Sequence, residues 1–164
     1  MRTASSERRM MNKRVVVIGG GAAGMMASIC AAQSGAAVTV LEPNERLGKK
    51  LNITGKGRCN VTNDTDTEGL MAHIPRNGKF LYSALSRFGA RDTMSFFEEL
   101  GVPLKVERGN RVFPVSDCAF DISGALKRRL QKLHVNLVRE RALSVEAEDG
   151  CVRAVRGEKN SYAA

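Results

Sequence analysis

A stretch from Val15 to Leu41 without one charged residue, punctuated by Gly19-Gly20-Gly21 and Gly24, constrains this chain more than any other feature. Arg14-Val-Val-Val-Ile18, ahead of the glycines, is β-branched, the composition of a strand buried on both faces of a parallel sheet. Residues 22–34 are small and helix-forming, Gly35 is placed to end a helix, and 36–41 is a second apolar strand with Glu42 at its C-terminal end. The spacing predicts a β-α-β unit within about 30 residues, with Gly19-Gly-Gly-Ala-Ala-Gly24 fitting G-x-G-x-x-G at its first turn.

Each residue of that turn has a physical task. Gly19 permits the tight exit from the strand, Gly21 lets the backbone approach a pyrophosphate, and Gly24 lets the helix pack close to the sheet. The N–H groups around Ala22 and Ala23, backed by the helix dipole, face the diphosphate. Glu42 can accept hydrogen bonds from the adenosine ribose, and its charge would repel a 2′-phosphate, which disfavours NADP. The plainer alternative is that the glycines serve only a strand-helix turn and Glu42 is a surface acid. Strand, helix, second strand and acid together favour dinucleotide binding, with FAD and NAD both open at this point.

The 164 residues are one domain's worth of chain, with a net charge of +9. That charge lies in three patches, at 1–14, 43–60 and 127–141, and none is interleaved with the few aromatic residues that base stacking would need. No nucleic-acid partner is expected. Arg8-Arg9 before the uncharged stretch imitates an export signal or a membrane span, but the glycines, Gln33 and Ser34 interrupt it, so no membrane partner is expected either. Residues 1–13 read as a disordered leader, with Met10 or Met11 as the natural start. Cys30, Cys59, Cys118 and Cys151 form no C-x-x-C pair, which argues against a metal site and for a reducing, cytoplasmic setting.

Residues 43–63 are loop-like, with three glycines and five cations. From Gly48 to Asn63 they read Gly-Lys-Lys-Leu-Asn-Ile-Thr-Gly-Lys-Gly-Arg-Cys-Asn-Val-Thr-Asn, which resembles a signature of the BaiN-like FAD-dependent oxidoreductases, some of them labelled aminoacetone oxidase family. Arg111-Val-Phe-Pro114, followed by Asp121 and a helix, looks like a second segment of that family. The resemblance implies an α/β, Rossmann-like FAD/NAD(P)-binding three-layer fold with a parallel sheet and a β-hairpin or meander crossover. It brings in FAD as cofactor, with NAD(P)H as a candidate electron donor of the full-length protein. It matches Gly19, Gly21, Ala22, Ala23, Gly24 and Glu42 to the ADP-binding residues. Lys49, Lys50, Gly55, Gly57, Arg58, Cys59 and Asn60 match the segment running along the ribityl chain toward the isoalloxazine. A cationic, glycine-rich loop can offer both charge and backbone N–H groups to a diphosphate. The alternative is that the lysines are solvated and Arg58 makes a structural salt bridge. Cys59, with no resolving thiol or histidine neighbour in sequence, reads as a packing residue rather than a nucleophile.

Further along, 79–88 and 90–100 have apolar residues at helical spacing, and their Phe and Met stripes read as core. Residues 102–106 and 110–115 read as a hairpin turning at 107–110, and 121–133 as an amphipathic helix with Leu126, Leu130 and Leu133 inward. Lys127, Arg128, Arg129 and Lys132 fall on its solvated face. Residues 135–138 are expected as the third parallel strand, and 142–148 with 151–155 as a hairpin resembling the crossover of flavoproteins. There the backbone near Ala142 or Leu143 would contact the adenine. His73 and His134 have no partner at catalytic spacing.

By this resemblance residues 14–164 form the N-terminal part of an FAD-binding domain, incomplete at the C-terminus and without the substrate domain and the last flavin-covering segment. The expected function is a flavoprotein oxidoreductase passing a hydride through flavin N5, with this chain alone weak or inactive and no catalytic residue identifiable. The competing readings are an NAD-binding dehydrogenase and a catalytically inactive dinucleotide-binding module.

Overall fold

A computed structural model describes residues 13–164, so the leader expected over 1–13 lies, but for Lys13, outside the described residues. The chain divides into two compact units, one of residues up to Lys49 together with Leu126–Ala164, the other Lys50–Ala125.

In the first unit β1 (Arg14–Ile18), α1 (Ala22–Gln33) and β2 (Ala37–Leu41) form the expected β-α-β. β1 pairs in parallel with β2 over its full length, and β2 pairs in parallel with β6 (Asn136–Val138), giving the strand order β1-β2-β6. Val38, Val40 and Leu41 of β2 are buried, as the central strand requires, and Met25 and Ile29 of α1 join that core. β1 departs from expectation. Its apolar run reads as buried on both faces, but it is an edge of the described sheet, and Ile18 is 55 % exposed. A β-branched run reports a preference for strand, and its depth depends on which neighbours the fold supplies.

α5 (Ala119–Lys132) buries Ile122, Leu126 and Leu130, matching the helical stripe, while Leu133 is half-buried. After β6 come β7 (Ala142–Glu148), β8 (Cys151–Gly157) and β9 (Ser161–Ala163), an antiparallel meander whose first turn is Asp149-Gly150. Glu140, which is 3 % exposed, accepts hydrogen bonds from the Lys159 N–H at 2.5 Å, the Asn160 N–H at 2.9 Å and the Tyr162 hydroxyl at 2.5 Å. It ties the segment after β6 to the β8–β9 turn.

In the second unit β3 (Thr62–Asn63), β5 (Arg111–Pro114) and β4 (Leu104–Glu107) make an antiparallel sheet in that order. The β4–β5 hairpin is as expected, whereas β3 lies in the segment that reads as loop and the short α2 (Thr67–Ala72) falls where no element is expected. α3 (Gly78–Arg87) and α4 (Ala90–Glu99) match the two expected helices. The expectation that their apolar stripes are core holds for Ala90 and Phe97 of α4 and fails on α3. Phe80 is 87 % exposed, and Leu81, Tyr82 and Phe88 also face outward. The helical period is right, but α3 has no buried residue. No helix among the described residues is long and apolar enough to cross a membrane.

Candidate functional site

Gly19 leaves β1 at φ +101°, a conformation that L side chains rarely adopt, and its N–H still donates to the Leu41 carbonyl at 2.8 Å. α1 begins immediately afterward. Gly21 is its N-cap, no side chain caps it, and its first turn holds no acid, so the positive end of the helix dipole is uncompensated by any protein carboxylate of that turn. A Cβ at Gly24 would lie 1.9 Å from the Gly19 carbonyl oxygen, which is why only glycine fits at that crossing. Gly21 differs from both. Its φ of −76° is open to any residue, and a Cβ there would meet nothing within 4 Å. Neither backbone conformation nor protein packing demands glycine at this position, and the space beside the helix terminus is left free.

Glu42 sits at the C-terminal end of β2. Its Oε2 accepts the Gly20 N–H at 2.8 Å, and its Oε1 accepts the Asn44 N–H at 2.8 Å and the Asn44 side-chain amide at 2.5 Å. Burial works to raise the Glu42 carboxyl, but the bonds from Asn44 and Gly20, aided by the charge of Lys49, outweigh it and hold the group below the ordinary carboxylate range. The acid is therefore fixed in its charged form beside the glycine turn. The start of the basic loop returns to the same place: the Gly48 N–H donates to the Gly20 carbonyl at 2.8 Å, and Leu47 packs where a Cβ on Gly20 would stand. A concavity of about 150 Å³ opens beside Glu42, lined also by Asn44, Leu47, Lys127 and Arg139. Lys127 and Arg139 read in sequence as ordinary solvated charge. The signal that could have found Arg139 is its place directly after β6, because ligands of open parallel sheets bind beyond the carboxyl ends of the strands.

Leu143 lies on β7 with its side chain 59 % exposed. The β7–β8 register slips between Ala142 and Ser144, so Leu143 is the unpaired residue of a bulge. The resemblance implies a backbone contact near Ala142 or Leu143, and the bulge interrupts the ladder there.

The remaining expected site residues belong to the second unit. Lys50 precedes a tight 3-10 segment, Leu51–Gly57, in which Gly55 and Lys56 are left-handed, and Gly57 and Cys59 also have positive φ. The Arg58 guanidinium is held by Glu107 at 2.6 Å and Asp117 at 3.5 Å, and it stacks 4.0 Å from the centre of the Phe113 ring. Lys105 completes the cluster, bridging Asp117 at 2.6 Å and Glu107 at 3.4 Å. Bonding to Arg58 and Lys105 holds Glu107 and Asp117 low. Arg58 thus makes the salt bridge that one of its two readings expects. Cys59 is buried at 4 % exposure, and burial pushes its thiol up, with a Thr54 hydrogen bond opposing. A thiol so placed is a packing group rather than a thiolate. Asn60 donates its side-chain amide to the Thr62 and Val112 carbonyls at 2.8 and 3.1 Å, tying this loop to β5.

A family model described as HI0933-like protein Rossmann domain matches residues 13–163. Among curated proteins, the chain is 38 % identical over 134 residues to 3-dehydro-bile acid delta(4,6)-reductase of Clostridium scindens, covering 78 % of this chain and 32 % of that protein. It is 32 % identical over 123 residues to ribosomal RNA dihydrouridine synthase of Escherichia coli, covering 74 % and 30 %. The chain thus spans roughly a third of the length of either relative. The crystal structure of THI4 from Thermovibrio ammonificans matches with a TM-score of 0.58 at 13 % identity, over 92 % of this chain and 49 % of that one, a likeness of fold.

Proposed function

The chain belongs to the HI0933-like family, FAD-dependent Rossmann-domain proteins of the BaiN and aminoacetone oxidase kind, and on that premise we propose that it holds the ADP half of FAD as part of a flavoprotein oxidoreductase. One observation carries the reading: Gly21 is a glycine that neither its φ nor any neighbour requires, at an uncapped helix N-terminus. A missing side chain is explained when something other than protein fills the space, and a diphosphate fits both the room and the charge. The N–H groups at the start of α1, around Ala22 and Ala23, would hold it, and the ionised Glu42 would accept from the ribose hydroxyls.

The unpaired backbone at Leu143 is offered to the adenine. Lys49 supplies a cation near Glu42, and Lys50, Gly55, Gly57, Cys59 and Asn60 remain proposed contacts of the ribityl and ring portion. Arg58 acts through the loop it braces. When bound, the flavin supplies hydride exchange at N5, with NAD(P)H or a small organic molecule as the proposed donor. The four free cysteines accord with a reducing, cytoplasmic setting.

Titrating the chain with FAD and following flavin fluorescence tests the reading. The expected result is saturable binding that Gly21→Ala weakens at least about tenfold, the equivalent of about 1.4 kcal/mol, without changing the far-ultraviolet spectrum. A chain that takes up no FAD, yet binds NAD at micromolar concentration, would overturn it. The proposal includes no nucleic-acid partner. Since one relative acts on ribosomal RNA, retention of RNA by this chain at about 150 mM salt, with affinity falling steeply as salt rises, would contradict that part.

A further inference from the structure

Glu140 is the only charged side chain buried among the described residues, and no part of the FAD reading uses it. A buried carboxylate is costly unless it is hydrogen-bonded, and every donor to Glu140 comes from one place, the β8–β9 turn. These donors are the Lys159 and Asn160 N–H groups, the Asn160 side-chain amide at 3.2 Å and the Tyr162 hydroxyl. Among the described residues no Lys or Arg forms an ion pair with it. Gly157, the last residue of β8, leaves the room, since a Cβ there would collide with Glu140 Oε1. An apolar side chain could fill the same place without the cost of desolvation, so what the carboxylate adds is direction.

Residues 139–141 belong to no helix or strand and connect β6 to the meander. The Val138 carbonyl anchors the start of this connector, accepting the Glu42 N–H at 3.0 Å and the Glu140 N–H at 3.1 Å. Arg139 therefore stands between two fixed neighbours, and it lines the concavity of about 150 Å³ beside Glu42. Val40, Leu47 and Leu137 give that space apolar walls, and Lys127 is its second cation. Sites that take a whole small molecule hold roughly 300 to 1,000 Å³, so this one suits a single planar group. Among the described residues no carboxylate pairs with Arg139, which leaves the flat face of its guanidinium free to stack.

We infer that Glu140 is a positioning residue of the nucleotide site: it holds Arg139 at the concavity, where the guanidinium covers the face of the bound adenine. The inference rests on the proposed function, in which Glu42 takes the ribose and the base lies beside it. A cation over an aromatic face is attracted to the ring, but an exposed arginine on a free connector would lose much of that gain in ordering. The clasp removes that loss by fixing the backbone on which Arg139 stands.

Calorimetric titration of the whole chain with ADP, and separately with inorganic pyrophosphate, tests this. Pyrophosphate reads the glycine turn alone, whereas ADP reads the base as well. Arg139→Lys, which keeps the charge and loses the flat face, and Glu140→Gln are each expected to weaken ADP about fivefold, the scale of one cation–π contact. Pyrophosphate affinity should change less than about twofold in either. If Glu140 acts through Arg139, the two losses do not multiply: the double variant is expected near fivefold, against about twenty-five-fold for independent sites. Tyr162→Phe removes one donor of the clasp and keeps the ring, so it should weaken ADP about twofold. Made alone and with Arg139→Lys, it carries the same comparison should Glu140→Gln fail to fold. Unchanged ADP affinity in the clasp variants, equal losses of ADP and pyrophosphate, or losses that multiply would each overturn the inference. Any of these in a parent chain that binds ADP leaves the proposed function standing, and a parent that binds no ADP removes both.

Discussion

A methyl group at Gly24 would stand 1.9 Å from the Gly19 carbonyl oxygen, while one at Gly21 would meet nothing, so two glycines of one motif answer to different masters. Gly24→Ala is expected to destabilise the chain by about 2 kcal/mol, because backbone, not a flexible side chain, must move aside. Gly21→Ala is expected to stay within about 1 kcal/mol of the parent, the modest loss of a poorer N-cap. Urea unfolding of both variants checks the contrast, and equal costs would refute it. The sequence marks Gly24 because glycine spacing encodes close approach of helix and strand directly. It leaves Arg58 ambiguous because its partners Glu107 and Asp117 lie about 50 and 60 residues away, and no local pattern announces a long-range ion pair. Cys59 illustrates the same limit. Its burial and raised thiol predict slow alkylation by iodoacetamide at pH 8 in the folded chain, against rapid labelling of the exposed Cys30 and Cys151. Peptide mapping reads the order, and Cys59 labelling first would remove the packing assignment.

At the scale of elements, what was legible was whatever has a period. α1, β2, α4, α5, the β4–β5 hairpin and the β7–β8 hairpin all follow from apolar spacing and turn residues. β3 and α2 did not show, because a two-residue strand and a six-residue helix are too short to carry a period, and their segment is polar. α3 shows the converse: its spacing is helical, but period alone does not say whether a partner covers the face. The Glu140 clasp was invisible for a further reason, since a lone acid before a strand has no pattern of its own. Its consequence can be measured. The Tyr162 hydroxyl and the Lys159 N–H, against some cost of burial and with Asn160 assisting, lower the Glu140 carboxyl to about 2. A carboxyl depressed on folding adds stability above its unfolded value, near 4.5, and that contribution is lost as pH falls toward about 2. The melting temperature of Glu140→Gln should therefore lie below the parent's at pH 7, and the gap should close between pH 4.5 and 2. A gap independent of pH would mean that the clasp works by shape rather than charge.

For the whole molecule, the apolar surface that remains outside matters more than the net charge of +9. Phe80 at 87 %, Tyr82 at 54 % and Phe88 at 42 % exposure are grouped on and just after α3, and Leu143, Val145 and Val152 are at least half exposed on the meander. Isolated exposed apolar residues are ordinary, but large rings gathered on one short helix are not. The positive charge opposes self-association only weakly, since screening at physiological ionic strength limits its reach to about 8 Å. Contact between apolar faces acts inside that distance. The chain on its own should thus bind the dye ANS in its native state and sediment as larger species as its concentration rises, most strongly at high salt. Replacing Phe80 and Tyr82 by serine removes apolar area from residues outside the core, so secondary structure and FAD affinity should not change while dye fluorescence falls several-fold. Sedimentation velocity of parent and double variant at two salt concentrations decides the matter. Association that persists undiminished in the variant would move the responsible surface from α3 to the β7–β8 meander.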